Sequence, residues 1–452
     1  MSSLMIEGGT IVTMDRDRRV IEDGAVVIRD GYIVECGRRD SVLMKYKTDS
    51  VLDARGKAII PGFINAHTHN SEKLLAGLYD DLDLYSWLQK VINPMMINQT
   101  REDCYFASLL AQLEMIKSGI TCFSDHFDTT IESIFGTLLS AVEKSGMRAI
   151  LSREIFTRDI MPDELKVSVD DDIDEKMIAD TMRCVKERKL ANGRATMRLG
   201  LGGVSYASQS LISRIRALAT DSKTGIHVHV AESTDELRFF KRREKTTPVK
   251  YAYKVGLLGP DVLAAHCVWV DDEDVRLLKE TKTKVAYNPV SNMKLADGVA
   301  PIPKMLEEGV TVGLGTDGAA SNDNLDMFAC MRMGSYLQKV AALDPTRLPS
   351  KKMLEMATID GAKALQMEHI VGSVEAGKKA DLTLIDLRAP NMVPVHDVVK
   401  QIVCSGSPSN VDTVIIDGEI VLQDRRFTRL DETAIVAEAQ RRATELVDRM
   451  KQ

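Results

Sequence analysis

The chain has 452 residues, 44% of them hydrophobic, with a formal net charge of −7. That length allows one large α/β unit plus a smaller domain, and the acidic balance excludes a general attraction to nucleic acid or anionic membrane. No apolar run approaches the roughly 20 residues of a membrane helix, and Met1-Ser-Ser-Leu-Met-Ile-Glu lacks the basic and apolar regions of a signal peptide.

Residues 1–57 carry β-branched runs punctuated by glycine, such as Gly8-Gly-Thr-Ile-Val-Thr-Met and Gly24-Ala-Val-Val-Ile-Arg-Asp-Gly, which is a strand signature. Residues 58–370 alternate differently. Strand-like runs fall at 58–65, 119–124, 147–152, 196–201, 225–230, 262–266, 284–287 and 310–315, with helical patterns between them at 103–117, 174–189, 208–219, 271–279 and 303–308. Eight strands alternating with helices predict a (β/α)8 TIM-like barrel. An open doubly wound sheet has the same periodicity, but it would spread the polar strand ends along an edge, whereas a barrel gathers them at one mouth. Residues 371–430 return to the first style, as in Val411-Asp-Thr-Val-Ile-Ile-Asp-Gly, so the two β-rich ends are expected to form one small β-sandwich. Residues 431–452, with Ile435, Ala439, Ala443, Leu446 and Met450 at helical spacing, predict a docked amphipathic helix. The seven cysteines form no C-x-x-C pair and read as reduced thiols of a cytoplasmic protein.

Four of the eight histidines stand where these apolar strands end. His67 and His69 close Ile59-Ile-Pro-Gly-Phe-Ile-Asn-Ala; at i and i+2 of a strand they face one way and can reach one ion. Gly225-Ile-His-Val-His-Val-Ala-Glu offers His227 and His229 on one face, one to ligate and the other to sit in the core or behind a ligand. His266 ends Leu263-Ala-Ala-His, and Asp317 ends Val310-Thr-Val-Gly-Leu-Gly-Thr, where a buried carboxylate needs a partner such as a metal. Glu232, three residues past His229, is either a solvated loop acid or an acid turned back over the ion. A divalent ion lowers the pKa of bound water to roughly 7. Asp317 would ligate and accept the water's proton, His266 would orient the hydroxide, and Glu232 would protonate a ring nitrogen of an aromatic amidine. The two acids then work in opposite protonation states.

At this point the chain resembles the amidohydrolase superfamily, in the branch of S-adenosylhomocysteine/5-methylthioadenosine deaminases and s-triazine hydrolases related to atrazine chlorohydrolase and melamine deaminase. The resemblance runs nearly end to end, through Asp53-Ala-Arg-Gly-Lys, Pro61-Gly-Phe-Ile-Asn-Ala-His-Thr-His, His229-Val-Ala-Glu, Ala265-His-Cys, Asn288-Pro-Val-Ser-Asn-Met-Lys-Leu, Gly315-Thr-Asp-Gly-Ala-Ala-Ser-Asn and Glu375-Ala-Gly-Lys-Lys-Ala-Asp-Leu. It implies the barrel with a composite sandwich, and a homodimer or higher homo-oligomer. It also implies one divalent metal, Zn2+ with Fe2+ as the alternative, on His67, His69, His229 and Asp317, with Glu232 and His266 as acid/base and water-orienting groups. Two-metal relatives carry a modified lysine on the fourth strand, and 195–202 contains none.

One motif departs from the family. Nucleoside deaminases read Pro-His-Ala-Pro-Tyr after the fourth strand; this chain reads Gly202-Gly-Val-Ser-Tyr206, so Gly203 replaces a substrate-contacting histidine, as in triazine hydrolases. Trp87, Asp80, His126, Gly203 and Ser321 are the candidate substrate contacts. The expected reaction is release of ammonia from an amino-substituted nitrogen heteroaromatic ring (s-triazine, pterin or purine) by attack of metal-bound hydroxide. The alternatives are chloride or alkylamine release from s-triazines, and a nucleoside-type deaminase that recognises its substrate without the missing histidine. A non-catalytic scaffold that kept the fold is disfavoured because the ligand positions and Glu232 are all present. The zinc cytidine-deaminase architecture is excluded by the lack of a Pro-Cys-x-x-Cys segment.

Overall fold

A computed structural model describes residues 3–157, 173–187 and 190–451. The N-terminal runs form β1 (Ser3–Val12), β2 (Val20–Arg29), β3 (Tyr32–Arg38), β4 (Ser50–Asp53) and β5 (Lys57–Pro61). The central runs form β6 (Phe63–Thr68), β7 (Ile120–Phe127), β8 (Arg148–Arg153), β9 (Ala195–Met197), β10 (Leu199–Leu201), β11 (Ile226–Val230), β12 (Val262–His266), β13 (Lys284–Tyr287) and β14 (Val312–Leu314). β15 (Leu382–Asp386), β16 (Val411–Ile416), β17 (Glu419–Gln423) and β18 (Arg426–Phe427) follow.

The central strands pair in chain order and in parallel, as β6-β7-β8-β9 and β10-β11-β12-β13-β14. β6, β7, β8 and β12 are buried along their whole length, which is why they read as continuous apolar runs rather than as alternation. Helices separate them, including Arg101–Lys117, Ile173–Val185, Gln209–Ser222, Asp272–Glu280 and Ile302–Glu308. The first opens on a capping box, with Thr100 and Asp103 each satisfying the other's backbone N–H. The helix expected at 174–189 ends at Val185, and residues 188–189 lie outside the described residues.

Two expectations about the strands need correction. The run at 58–65 is two strands, because Gly62 turns the chain out of one sheet into the other. A side chain there would overlap Thr121, so only glycine fits. The fourth run, 196–201, breaks at Arg198, whose N–H donates to the Leu151 carbonyl at 2.8 Å, while Leu199 N–H donates to Gly225 at 3.0 Å. One strand thus serves both sheets.

The two β-rich ends join through β5 and β15, which pair antiparallel from Pro61↔Leu382 to Lys57↔Asp386. The result is one hydrogen-bonded nine-stranded sheet rather than two separate ones. Its inward residues, among them Ile6, Ile11, Val26, Ile59, Leu384 and Ile415, form a single apolar cluster. A buried bidentate pair, Arg148 to Asp381 at 2.8 and 3.0 Å, fastens this sheet to the base of β8. The C-terminal helix, Glu432–Met450, docks through Ala439 and Leu446, with Arg442 reaching Glu102 and Asp103 of the Arg101–Lys117 helix. No helix among the described residues is long and apolar enough to cross a membrane.

Candidate active site

His67, His69, His229 and Asp317 meet where β6, β11 and β14 end. His67 Nε2 lies 3.1 Å from Asp317 Oδ1, His69 Nε2 lies 3.4 Å from the same oxygen, and His69 Nε2 lies 3.3 Å from His229 Nε2. Donor atoms held 2.0–2.1 Å from a tetrahedral ion sit about 3.3 Å apart. His67 Nε2 is buried yet makes no hydrogen bond of acceptable geometry, so the donors face a common point rather than each other. The set fits a divalent ion.

The outer nitrogens are fixed from behind. His67 Nδ1 pairs with His227 Nε2 at 2.9 Å, and His227 Nδ1 faces the hydroxyls of Ser152 at 3.3 Å and Ser124 at 3.4 Å. His229 Nδ1–H donates to the Gly202 carbonyl at 2.5 Å. The choice left open between His227 and His229 follows from their depth along β11. Both face the same way, but His229, nearer the strand's C-terminal end, comes to 3.3 Å from His69 Nε2, while His227, one pleat deeper, supports His67.

The ends of the later strands are bent sharply. Ala231, His266 and Asp317 sit in the left-handed region at φ 54°, 74° and 64°, a conformation costing a non-glycine residue on the order of 1–3 kcal/mol. Each bend turns a functional side chain inward. Past Ala231, Glu232 N–H donates to Glu236 Oε2 at 2.9 Å, and the Glu232 carboxyl comes to 3.5 Å from His266 Nε2. Asn292 Nδ2 donates to His266 Nδ1 at 2.9 Å, which leaves the ring proton on Nε2, toward Glu232.

Burial pushes His67, His229 and His266 down to about 3, so each is the neutral imidazole a metal requires. His69 also feels burial, but hydrogen bonding to Asp317 and the charges of Glu72, Asp317 and Glu154 outweigh it and hold a proton; a bound cation displaces that proton. Burial alone would raise Asp317, but the close His67 and His69 rings outweigh it and hold its carboxyl well below the usual carboxylate range. Glu232 is raised well above its ordinary value by burial, then by Asp297, Asp317 and Glu236. One acid is ionised and its neighbour protonated.

A pocket opens over these groups, lined by His69, His229, Glu232, His266 and Asp317, by the apolar Leu84, Trp87, Leu88, Ile92 and Leu295, and by Glu72, Asp128, Glu154, Gly202 and Tyr206. Trp87 lines it with a buried indole N–H that has no partner among the described residues. Other expected contacts lie elsewhere. Asp80 is exposed and accepts from Asp81 N–H, because the loop turns its carboxylate to solvent. Both ring nitrogens of His126 are taken, Nδ1 by Ser152 at 2.9 Å and Nε2 by the Leu201 carbonyl at 3.0 Å. The space beside Gly203 is filled by the Tyr206 ring, 3.0 Å from where a Cβ would stand. Ser321 donates to Asp317 Oδ2 at 3.2 Å and so steadies a ligand. Glu72, Asp128, Glu154 and Tyr206 were missed. The signal for two of them was present, since Asp128 and Glu154 directly follow β7 and β8.

The amidohydrolase family model matches residues 58–421. The chain belongs to the amidohydrolase family. It is 40% identical over 446 residues to a 5-methylthioadenosine/S-adenosylhomocysteine deaminase of Desulforamulus reducens, covering 99% of both chains. It is 41% identical over 454 residues to a 5'-deoxyadenosine deaminase of Methanosarcina mazei, covering 100% of both. Among solved structures, an adenosine deaminase from Xanthomonas campestris with bound zinc superposes with a TM-score of 0.90 at 28% identity, over 100% of this chain and 99% of that one. An atrazine chlorohydrolase from Arthrobacter aurescens TC1, complexed with zinc, shares the fold with a TM-score of 0.87 at 23% identity, over 98% and 100%. This amidohydrolase is therefore a hydrolase acting on carbon–nitrogen bonds, of the deaminase kind.

Proposed function

We propose that this amidohydrolase removes ammonia by hydrolysis from the adenine ring of a nucleoside altered at its 5' carbon. End-to-end identity of 40–41% to deaminases of such nucleosides carries the reading. It moves the nucleoside from an alternative to first place, ahead of free triazines, pterins and purine bases.

The two parallel sheets are read as one closed (β/α)8 barrel over 58–370, the β-rich segments 1–57 and 371–430 as its companion domain, and 431–452 as the closing helix. Asp317 N–H donating to His67 across the β14–β6 edge supports closure. His67, His69, His229 and Asp317 hold one divalent ion, Zn2+ by the chemistry of three imidazoles and a carboxylate. When bound, such an ion lowers the pKa of water toward 7 and so supplies the nucleophile.

The chain's own groups do the rest. Leu84, Trp87, Leu88, Ile92 and Leu295 form an apolar slot that orients a flat ring and excludes water. Glu232, protonated, gives its proton to the ring nitrogen beside the amino-bearing carbon, which becomes electrophilic. Asp317, ionised, accepts a proton from the attacking water, and His266 Nε2–H orients that water. The carbon–oxygen bond forms, Asp317 passes its proton to the amino nitrogen, and the carbon–nitrogen bond breaks to release ammonia while the proton of the new hydroxyl returns to Glu232, leaving an oxo ring that keeps its N–H.

Ammonia release should be measured on 5'-deoxyadenosine, 5-methylthioadenosine, S-adenosylhomocysteine, adenosine, melamine and a pterin, with chloride release from a chlorotriazine. Ammonia from the nucleosides is expected. A second reading, triazine hydrolysis, is favoured by Gly203 standing where nucleoside deaminases carry histidine; chloride release with no ammonia from any nucleoside would establish it instead.

A further inference from the structure

Five carboxylates line the pocket, and the reaction uses only Glu232 and Asp317. The others, Glu72, Asp128 and Glu154, flank His69 and His229 rather than His266: Glu154 Oε1 is 3.6 Å from His69 Nδ1 and 3.8 Å from His229 Nδ1, and the donor atoms of His69, Glu72 and Asp128 lie within 4.8 Å of one another.

A metal-bound histidine commonly hands its outer N–H to a carboxylate, which could explain such acids. Here it explains at most one. His67 already has His227 and His229 already has Gly202, leaving only His69 Nδ1, a buried nitrogen without a partner. Backbone and hydroxyl donors serve part of the remainder: Ala320 N–H donates to Glu72 Oε2 at 3.2 Å, and Ser71 to Asp128 Oδ1. Asp128 Oδ2 is buried with no partner. No lysine or arginine is among the described residues lining the pocket. The one side-chain cation beside these three acids among the described residues lining the pocket is His69, whose proton a bound metal displaces. Buried carboxylates short of counter-charge are costly, and a ligand can supply what is missing.

We propose that Glu72, Asp128 and Glu154 form a selectivity wall for a substrate bearing a cationic substituent, such as an ammonium or sulfonium, remote from the reacting carbon, and against one bearing phosphate. This rests on the nucleoside-deaminase reading and narrows it to 5'-cationic nucleosides.

The test compares three probes on the metal-loaded full chain: 5'-amino-5'-deoxyadenosine (an ammonium), 5'-deoxyadenosine (neutral) and adenosine 5'-monophosphate (an anion). Thermal shift and kcat/KM are both read. The ammonium probe should raise Tm most and show at least a tenfold higher kcat/KM than the neutral one, while the monophosphate does neither. In Asp128→Asn and Glu154→Gln that ratio should fall toward one. A neutral probe that matches or beats the ammonium, or a ratio unchanged in both variants, overturns the wall. So does elemental analysis finding two ions per chain, since the acids would then serve a second metal. If no nucleoside is turned over but the ammonium still gives the larger Tm shift, the function reading fails and the wall stands. If nucleosides are turned over with the neutral preferred, the wall fails and the reading stands. No shift and no turnover with any probe defeats both.

Discussion

Asp317 donates its backbone N–H to the carbonyl of His67 at 3.0 Å, while its carboxylate lies 3.1 Å from the same histidine's Nε2. The last strand of the alternating segment is thus locked to the first at the point where both present donor atoms. An ion held there bridges the two ends of that segment and ties metal occupancy to stability.

Chelation is expected to lower Tm and abolish ammonia release, with both restored by added Zn2+. Free metal at a thousand times its Kd contributes about 4 kcal/mol to folding. Elemental analysis of freshly purified protein should find one ion per chain, and Asp317→Ala should lose it. A Tm indifferent to chelation would remove the ion from the account.

Among the described residues the Glu232 carboxyl pairs with His266, at 3.5 Å, and with none of the four donor groups. Glu232→Gln should therefore keep its metal and lose about 10²–10⁴ in kcat. Metal content and kcat measured on one preparation separate the two effects; undiminished kcat would take Glu232 out of the proton path.

His227 never reaches the pocket, yet it holds His67 Nδ1 at 2.9 Å. His227→Phe fills the space without the bond and should weaken metal affinity about 10–100-fold. Competition against a coloured chelator reads this directly, and an unchanged affinity would mean that packing alone orients His67.

Glu236 supplies a pH signature. Burial raises it from 4.5 to about 7, so between roughly pH 4.5 and 7 the folded chain keeps a proton that the unfolded chain has lost. Stability from this residue then falls by about 1.4 kcal/mol per pH unit over that window and is flat above it. In Glu236→Gln the side-chain oxygen still accepts from Glu232 N–H and the slope vanishes. Urea unfolding should show the variant gaining on the parent from pH 5 to 7, then holding a constant lead. Parallel curves throughout would refute the assignment.

Gly318 explains where Glu72 stands, because a side chain at 318 would overlap the Glu72 carboxylate. Gly318→Ala is expected to cost about 1–3 kcal/mol, and adding Glu72→Ser should return most of it. A double-mutant cycle measures that coupling; additive losses would show that the two positions do not meet.

Residues that the structure brings together at the strand ends were readable because their signals are local: an apolar run ending in histidine or aspartate needs no tertiary contacts to be seen, as at His67, His266 and Asp317. What depended on loop direction was not readable. Asp80 lies on a loop whose course no periodicity encodes, and it points to solvent. His126 ends an apolar strand just as His266 does, but side-chain and carbonyl partners close both its nitrogens. Glu72 depends on a glycine far along the chain. The run at 58–65 hid a change of sheet because Gly62 is apolar enough to continue the pattern while turning the backbone.

The pairing of β5 with β15 bears on how the protein is made. β5 leads through Gly62 straight into the strand that carries His67 and His69, but its partner strand begins only at Leu382. At roughly 5–20 residues per second of synthesis, the segment next to the first two histidines waits on the order of tens of seconds for its neighbour to leave the ribosome. Throughout that interval the edge of β5 is unpaired, and nascent-chain factors or premature metal capture have their opportunity there.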